Sequence, residues 1–339
     1  MQIRHTNTPL LPSLYGWYIS AFRHVSYDGC GAPSVGIVAP ETQGLMAARC
    51  GGCGEEDTGM LGSAMYPALR EFGHEVWASD LIVDEAWLHP LDVRNHAAVE
   101  RAIDTFGPDA VYHLAASTDL ELCERHPDWA AETNADATGA IARVCATRGI
   151  PMVYISTAGV FDGQKQEPYD ERDQPAPLMV YGETKLSGER LVREHHNKHF
   201  IVRAGWMFGG GKKDHKFVSK IVSQLQQGSS TLYGVNDKWG TATYTVDFAA
   251  NLELLVRSGS YGTYHMVCEG GATRYDVAVE IARAMGYPEV QVLPVGSDHF
   301  EAEYFAPRPR SEMMVNRALN LAGLNRMRPW QEALGSYLQ

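Results

Sequence analysis

From residue 75 onward the chain alternates short β-branched runs with longer amphipathic stretches, and this alternation constrains the fold more than any other feature. Strands separated by helical crossovers pair in parallel, and a parallel sheet needs helices on both faces. His74-Glu-Val-Trp-Ala78 reads as a strand ending at Ser79 and Asp80. Val99, Ile103 and Phe106 fall at helical spacing, and Pro108-Asp109 turns the chain into the apolar run Ala110-Val-Tyr-His-Leu-Ala115. A helix is expected over 129–148, then buried strands at Pro151-Met-Val-Tyr-Ile155 and Phe200-Ile-Val-Arg203. Between those strands, good helix formers with interspersed charges predict a long helix over 181–194. The expected fold class is α/β, with a doubly wound parallel sheet.

After about residue 209 the pattern becomes less regular, with a helix reaching Gln227 and the turn-rich Tyr233-Gly-Val-Asn-Asp-Lys-Trp-Gly240. A strand at Tyr264-His-Met-Val267 and helices over 275–285 and near 330–338 follow. This predicts a core over 58–208 and a smaller mixed C-terminal lobe over 209–339. Residues 1–57 form an atypical N-terminal segment, with one strand-like run, Val35-Gly-Ile-Val-Ala39, and then Gly44, Gly51, Gly52 and Gly54 without a period.

No stretch approaches the roughly 18 apolar residues of a membrane span, and the run over 10–22 is broken by Pro12, Ser13 and Gly16. The expectation is a soluble cytoplasmic protein. Its 29 basic and 41 acidic residues give a net charge of −12, so neither nucleic acid nor a membrane surface is an expected partner. An anionic ligand must find a local basic pocket, for which Lys212, Lys213, Lys216, Arg308 and Arg310 are candidates. Cys30, Cys50, Cys53, Cys123, Cys145 and Cys268 are too thinly spread for a disulfide framework. Cys50-Gly-Gly-Cys53 has the spacing of a zinc half-site, but no second pair lies nearby, and no metal is expected.

Tyr181-Gly-Glu-Thr-Lys185 places a phenol and an ammonium four residues apart, on one face of a helix. A cation beside a phenol favours the phenolate and brings its pKa from near 10 towards the working range of an acid catalyst. Upstream, Tyr154-Ile-Ser-Thr157 ends a strand in hydroxyls, at the sheet end where open α/β folds keep their ligands.

Thr157, Tyr181 and Lys185 resemble the Ser/Thr, Tyr and Lys triad of the extended short-chain dehydrogenase/reductase family. Ile155-Ser-Thr-Ala-Gly-Val-Phe-Asp-Gly163, Pro168-Tyr-Asp-Glu171 and Tyr181-Gly-Glu-Thr-Lys-Leu-Ser-Gly-Glu189 are similar to the dTDP-4-dehydrorhamnose reductases within it. So are His113-Leu-Ala-Ala-Ser-Thr118, Ile201-Val-Arg-Ala-Gly-Trp206, Asp237-Lys-Trp-Gly240 and Pro307-Arg-Pro-Arg310. The resemblance covers about residues 58–339. It implies a Rossmann-like, dinucleotide-binding core with a substrate-binding lobe, and reduction of a nucleotide-linked 4-keto-6-deoxy sugar by NADPH or NADH. It further implies that Tyr181 donates a proton, Lys185 holds the nicotinamide ribose and lowers the phenol pKa, and Thr157 hydrogen-bonds the substrate oxygen. By the same carry-over Thr118, Trp206 and Arg308 contact substrate, and Asp92, Val93, Ala115 and Ala116 border the cofactor. A homodimer is compatible with the resemblance.

Gly59 and Gly62 look like the second half of the family's GxxGxxG phosphate loop, feeding a helix through Ala64, Leu69 and Phe72. Position 56, where the first glycine is expected, is Glu56, between Glu55 and Asp57. No strand is evident directly before the loop. Either 35–39 supply it, with a long insertion before Gly59, or residues 1–57 are not the family's own front end. Asp80, 18 residues after Gly62, stands where an acid accepts bonds from a ribose 2′-hydroxyl, which favours NADH. A 4,6-dehydratase typically carries an Asp-Glu pair after the triad Thr, whereas Ala158-Gly159 follow here. The alternatives to a reductase are an epimerase of the same superfamily and a non-catalytic NAD(P)-binding regulatory subunit.

Overall fold

Short apolar strands linked by helices assemble as the alternation predicts. A computed structural model describes residues 43–47 and 59–339, all within one compact unit. The central strands are β1 (Gln43–Ala47), β2 (Glu75–Asp80), β3 (Leu88–Pro90), β4 (Ala110–His113), β5 (Met152–Thr157) and β6 (His199–Ala204). With Gly262–His265 they form a seven-stranded sheet in the order Gly262–His265, β6, β5, β4, β1, β2, β3. Every pairing in it is parallel. The order reverses between β1 and β4, which opens the crevice where doubly wound sheets bind ligands.

Strands covered on both faces need no polar alternation, and β5 buries Met152, Val153 and Tyr154 in succession while β6 buries Phe200, Ile201 and Val202. Val153, Phe200 and Val202 join the core that contains Met65 and Leu69 of helix Met60–Glu71 and Phe248 and Leu252 of Thr245–Arg257. Tyr154 and Ile201 join the opposite core, with Ile103, Ile141 and Val192. At about 25 cal/mol per Å² of buried apolar surface these two layers are the main stabilising term. No helix among the described residues is long and apolar enough to cross a membrane.

Several expectations are corrected. The strand that precedes the first helix is Gln43–Ala47, inside the stretch read as having no period. Its pairing with β2 on one side and β4 on the other supplies two backbone ladders, which a five-residue segment containing Gly44 does not advertise locally. The single helix expected over 129–148 is Pro127–Ala131, a π-helical turn Glu132–Asp136, and Ala137–Arg148. The Asn134 carbonyl in that turn accepts hydrogen bonds from the Tyr154 hydroxyl at 3.1 Å and the Thr138 hydroxyl at 2.9 Å. The turn-rich stretch contains strands Thr231–Val235 and Trp239–Gly240; the former pairs in parallel with Gln291–Val295, a partner about 60 residues away that no local pattern reveals. The late strand lies at Gly262–His265, two residues before its expected position. The strand-like run at 35–39, Cys30, Cys50, Cys53 and loop residues 55–58, Glu56 included, lie outside the described residues. Cys123, Cys145 and Cys268 are buried free thiols.

The long helix forms at Val180–His195, and the Glu124 carboxylate accepts the Val180 N–H at 2.8 Å, satisfying one of its first-turn donors. Gly182 brings this helix against the turn after β5. A Cβ there would stand 2.1 Å from the Gly159 carbonyl oxygen and 2.9 Å from Pro177. Gly182→Ala is therefore expected to push the helix off β5, costing roughly 1–3 kcal/mol in urea unfolding and lowering any activity that needs Tyr181 and Lys185 in place. Unchanged stability would show that the contact relaxes freely.

Candidate active site

At the carboxyl ends of β5 and β6 the sheet and segments between Gly205 and Glu312 enclose a cavity of about 900 Å³. β5 delivers Thr157 to its wall, and the Val180–His195 helix delivers Tyr181 and, one turn later, Lys185. Gly59, Gly62, Ala116, Thr118, Trp206, Lys216 and Arg308 also line it. Asp80, Asp92, Val93 and Ala115 are not part of the wall that the described residues form.

The local chemistry is specific. The Thr157 hydroxyl accepts the Gly159 N–H at 3.1 Å, turning the chain sharply after β5. Lys185 is buried, with its ammonium 4.2 Å from the centre of the Tyr154 ring. Burial pulls its pKa down to about 7, and the Glu189 carboxylate opposes that shift. Among the described residues no group accepts a hydrogen bond from this ammonium. The Tyr154 hydroxyl is held by the carbonyls of Asn134 and Lys185, and burial raises its pKa well above 10. Asn134 ties the layer together: its side chain accepts the Ser117 N–H at 2.8 Å and donates to the Thr184 hydroxyl at 3.1 Å. Behind the triad, Ser156 donates to Glu189 at 2.6 Å and Arg203 grips both Glu189 oxygens at 2.8 Å. Burial alone would raise the Glu189 carboxyl, but Arg203, Ser156 and Arg193 together hold it at about 2.

Residues 55–339 match the family model described as the RmlD substrate binding domain. The chain belongs to the RmlD family. It is 34% identical over 277 residues to a dTDP-4-keto-6-deoxy-D-glucose reductase of Streptomyces niveus, with 81% of this chain and 92% of the relative covered. A dTDP-4-dehydrorhamnose reductase of Mycolicibacterium smegmatis is 31% identical, over 81% of each chain. The crystal structure of a dTDP-4-dehydrorhamnose reductase from Bacillus anthracis in complex with NADP superposes with a TM-score of 0.77 at 29% identity, covering 88% of this chain and 98% of the other.

In this RmlD-family chain the remaining expected residues divide by their surroundings. Asp80 ends β2, next to the carboxyl end of β1; it is buried and accepts the Ile82 N–H at 3.2 Å. The Asp92 carboxylate is gripped by Arg94, at 3.0 Å from Nε and 2.7 Å from one terminal nitrogen, and hydrogen bonding to Arg94 lowers its pKa. Val93 and Ala115 are buried in the apolar core. Lys213 pairs with Asp84 at 3.1 Å, Lys216 reaches the Thr118 hydroxyl at 3.4 Å, and Arg308 donates to Glu121 at 2.8 Å. Arg310 is exposed, and the side chain of Lys212 lies outside the described residues. Sequence reasoning missed Arg274 and Glu312 in the cavity wall and Asn134 and Glu189 behind it. A signal for Arg274 was present: Thr273-Arg-Tyr-Asp276 forms a capping box, which fixes Arg274 as the first residue of helix Arg274–Ala284.

Proposed function

We propose that this protein reduces the C4 ketone of a dTDP-linked 4-keto-6-deoxy sugar, using NADPH or NADH. The observation that carries the reading is the meeting of Thr157, Tyr181 and Lys185 in one cavity large enough for a dinucleotide's nicotinamide end and a sugar nucleotide together. The names of the relatives and the NADP in the Bacillus anthracis structure support it. A nicotinamide ribose suits Lys185, a buried cation that has no acceptor among the described residues, and Gly59 with Gly62 puts a helix N-terminus where a pyrophosphate is favoured. When bound, the reduced nicotinamide supplies the hydride that turns the ketone carbon into an alcohol carbon. Tyr181 donates its phenolic proton to the ketone oxygen as negative charge develops there. Lys185 stabilises the phenolate left behind and orients the ribose, and Thr157 holds the same oxygen by a hydrogen bond. We read Asp80, at the end of β2, as the acceptor for a ribose hydroxyl.

The direct test is the fall in 340-nm absorbance of NADPH or NADH when the purified chain is given dTDP-4-dehydrorhamnose or dTDP-4-keto-6-deoxyglucose. No oxidation with either sugar, alongside tight cofactor binding, would favour a regulatory subunit. The chemistry also fixes a pH dependence. Lys185 in the free protein loses its proton near pH 7, so kcat/KM for reduction should decline as pH rises above about 7. A profile flat to about pH 9 would show that the charge on Lys185 is not needed.

A further inference from the structure

Besides Lys185, the cavity is lined by Lys216, Lys220, Lys238, Arg274 and Arg308. Four of these have polar partners: Lys216 the Thr118 hydroxyl, Lys220 the Tyr304 hydroxyl at 3.3 Å, Lys238 the Arg308 carbonyl at 3.0 Å, and Arg308 the Glu121 carboxylate. Arg274 differs. Among the described residues no oxygen accepts a hydrogen bond from its guanidinium. It lies instead over two aromatic rings, 3.9 Å from the centre of Trp206 and 4.9 Å from that of Phe217. Burial draws its pKa down to about 10 against the opposing pull of the nearby Glu312 carboxylate, which leaves it charged at neutral pH.

The platform beneath it is held from two sides. The Trp206 indole N–H donates to Glu312 at 2.8 Å, and the ring packs so closely on Gly240 that a Cβ there would come within 2.3 Å of it. Trp206 lines the cavity, and its indole, held by Glu312 and Gly240, carries the guanidinium that faces the same space. A planar cation with unspent donors in a water-poor wall matches the paired oxygens of a phosphate, and an arginine stacked on aromatic rings is already oriented for it.

Resting on the reductase reading, we infer that Arg274 is the receptor for the diphosphate of the nucleotide sugar, and that Trp206 is a positioning residue acting through it. Direct binding tests this apart from turnover. With saturating NADPH present, dTDP, thymidine and inorganic pyrophosphate are titrated calorimetrically into the parent, Arg274→Met, Arg274→Lys and Trp206→Leu. Losing a stacked charge partner should weaken dTDP by at least about tenfold in Arg274→Met and less in Arg274→Lys, with thymidine affinity held within about twofold. Trp206→Leu should weaken dTDP in the same way, and combining it with Arg274→Met should add little further loss, as expected if one residue acts through the other. Parental dTDP affinity in Arg274→Met, or equal weakening of thymidine, overturns the inference. So does a parent that binds neither dTDP nor pyrophosphate. A parent that reduces no keto sugar yet binds dTDP through Arg274 leaves the receptor standing and sinks only the reductase reading.

Discussion

Tyr181→Phe is expected to lower kcat by roughly 10²-fold or more while leaving the fold and the affinity for NADPH in place. The substitution removes one oxygen from a cavity-lining ring on the first turn of the Val180–His195 helix, so packing is nearly unchanged. What disappears is the hydroxyl proposed as proton donor, one helical turn from Lys185. The other nearby phenol cannot replace it. Tyr154 is fully buried, its hydroxyl is spent on the carbonyls of Asn134 and Lys185, and burial drives its pKa further up. Single-turnover reduction at fixed pH separates the proton-transfer step from cofactor release. Turnover within about threefold of the parent would remove Tyr181 from the chemistry.

The second large effect is on stability. Glu189 and Arg203 are both buried, at 0% and 2% exposure, so little solvent reaches either to share the charge, and the half-exposed Arg193 pairs with Glu189 from the outside at 2.8 Å. Removing one partner of such a pair leaves the other ionised in a low-dielectric interior, which costs on the order of 3–5 kcal/mol. Glu189→Gln should therefore shift the urea midpoint strongly, even though the amide can still bond Ser156. Replacing both residues with leucine should recover much of the loss, because well-packed apolar side chains often match a buried ion pair. A loss below about 1 kcal/mol in Glu189→Gln would mean that Arg203 finds another counter-charge. The linkage has a definite sign. The Glu189 carboxyl is held at about 2 against its ordinary 4.5, so its contribution is present above pH 4.5 and lost as pH falls towards 2. Acid unfolding of the parent should be steeper across that window than that of Glu189→Gln.

The effects fall on different links of the same chain of causes. Thr157 ends β5, Ser156 beside it is bonded to Glu189, and Glu189 stands one turn beyond Lys185 on the same helix. The ion pair thus locks strand to helix at the point where the hydroxyl, phenol and ammonium must share one cavity. Asn134 performs a similar task from the other side, joining the π-helical turn to the β4 loop and to Thr184.

Much of this was legible in the sequence. The strands at β2, β4, β5 and β6 and the helix at Val180–His195 announce themselves because their periodicity is local, and the triad because its spacing is set by one helical turn and one strand end. Three things depended on tertiary structure. β1 is a strand through its two parallel neighbours, since Gln43-Gly-Leu-Met-Ala47 has little propensity of its own. The π-helical turn follows from buried contacts of Asn134 with residues 17 and 50 positions distant. Trp206 and Arg274 stand 68 positions apart in the chain, so no spacing could show that the indole carries a guanidinium. Local pattern sufficed for Thr157, Tyr181 and Lys185 and for the strand and helix that carry them, because hydrophobic period and side-chain type act over a few residues. Tertiary structure alone decided which charges are spent on partners and which face the cavity, because pairing and desolvation depend on contacts that only the folded chain brings together.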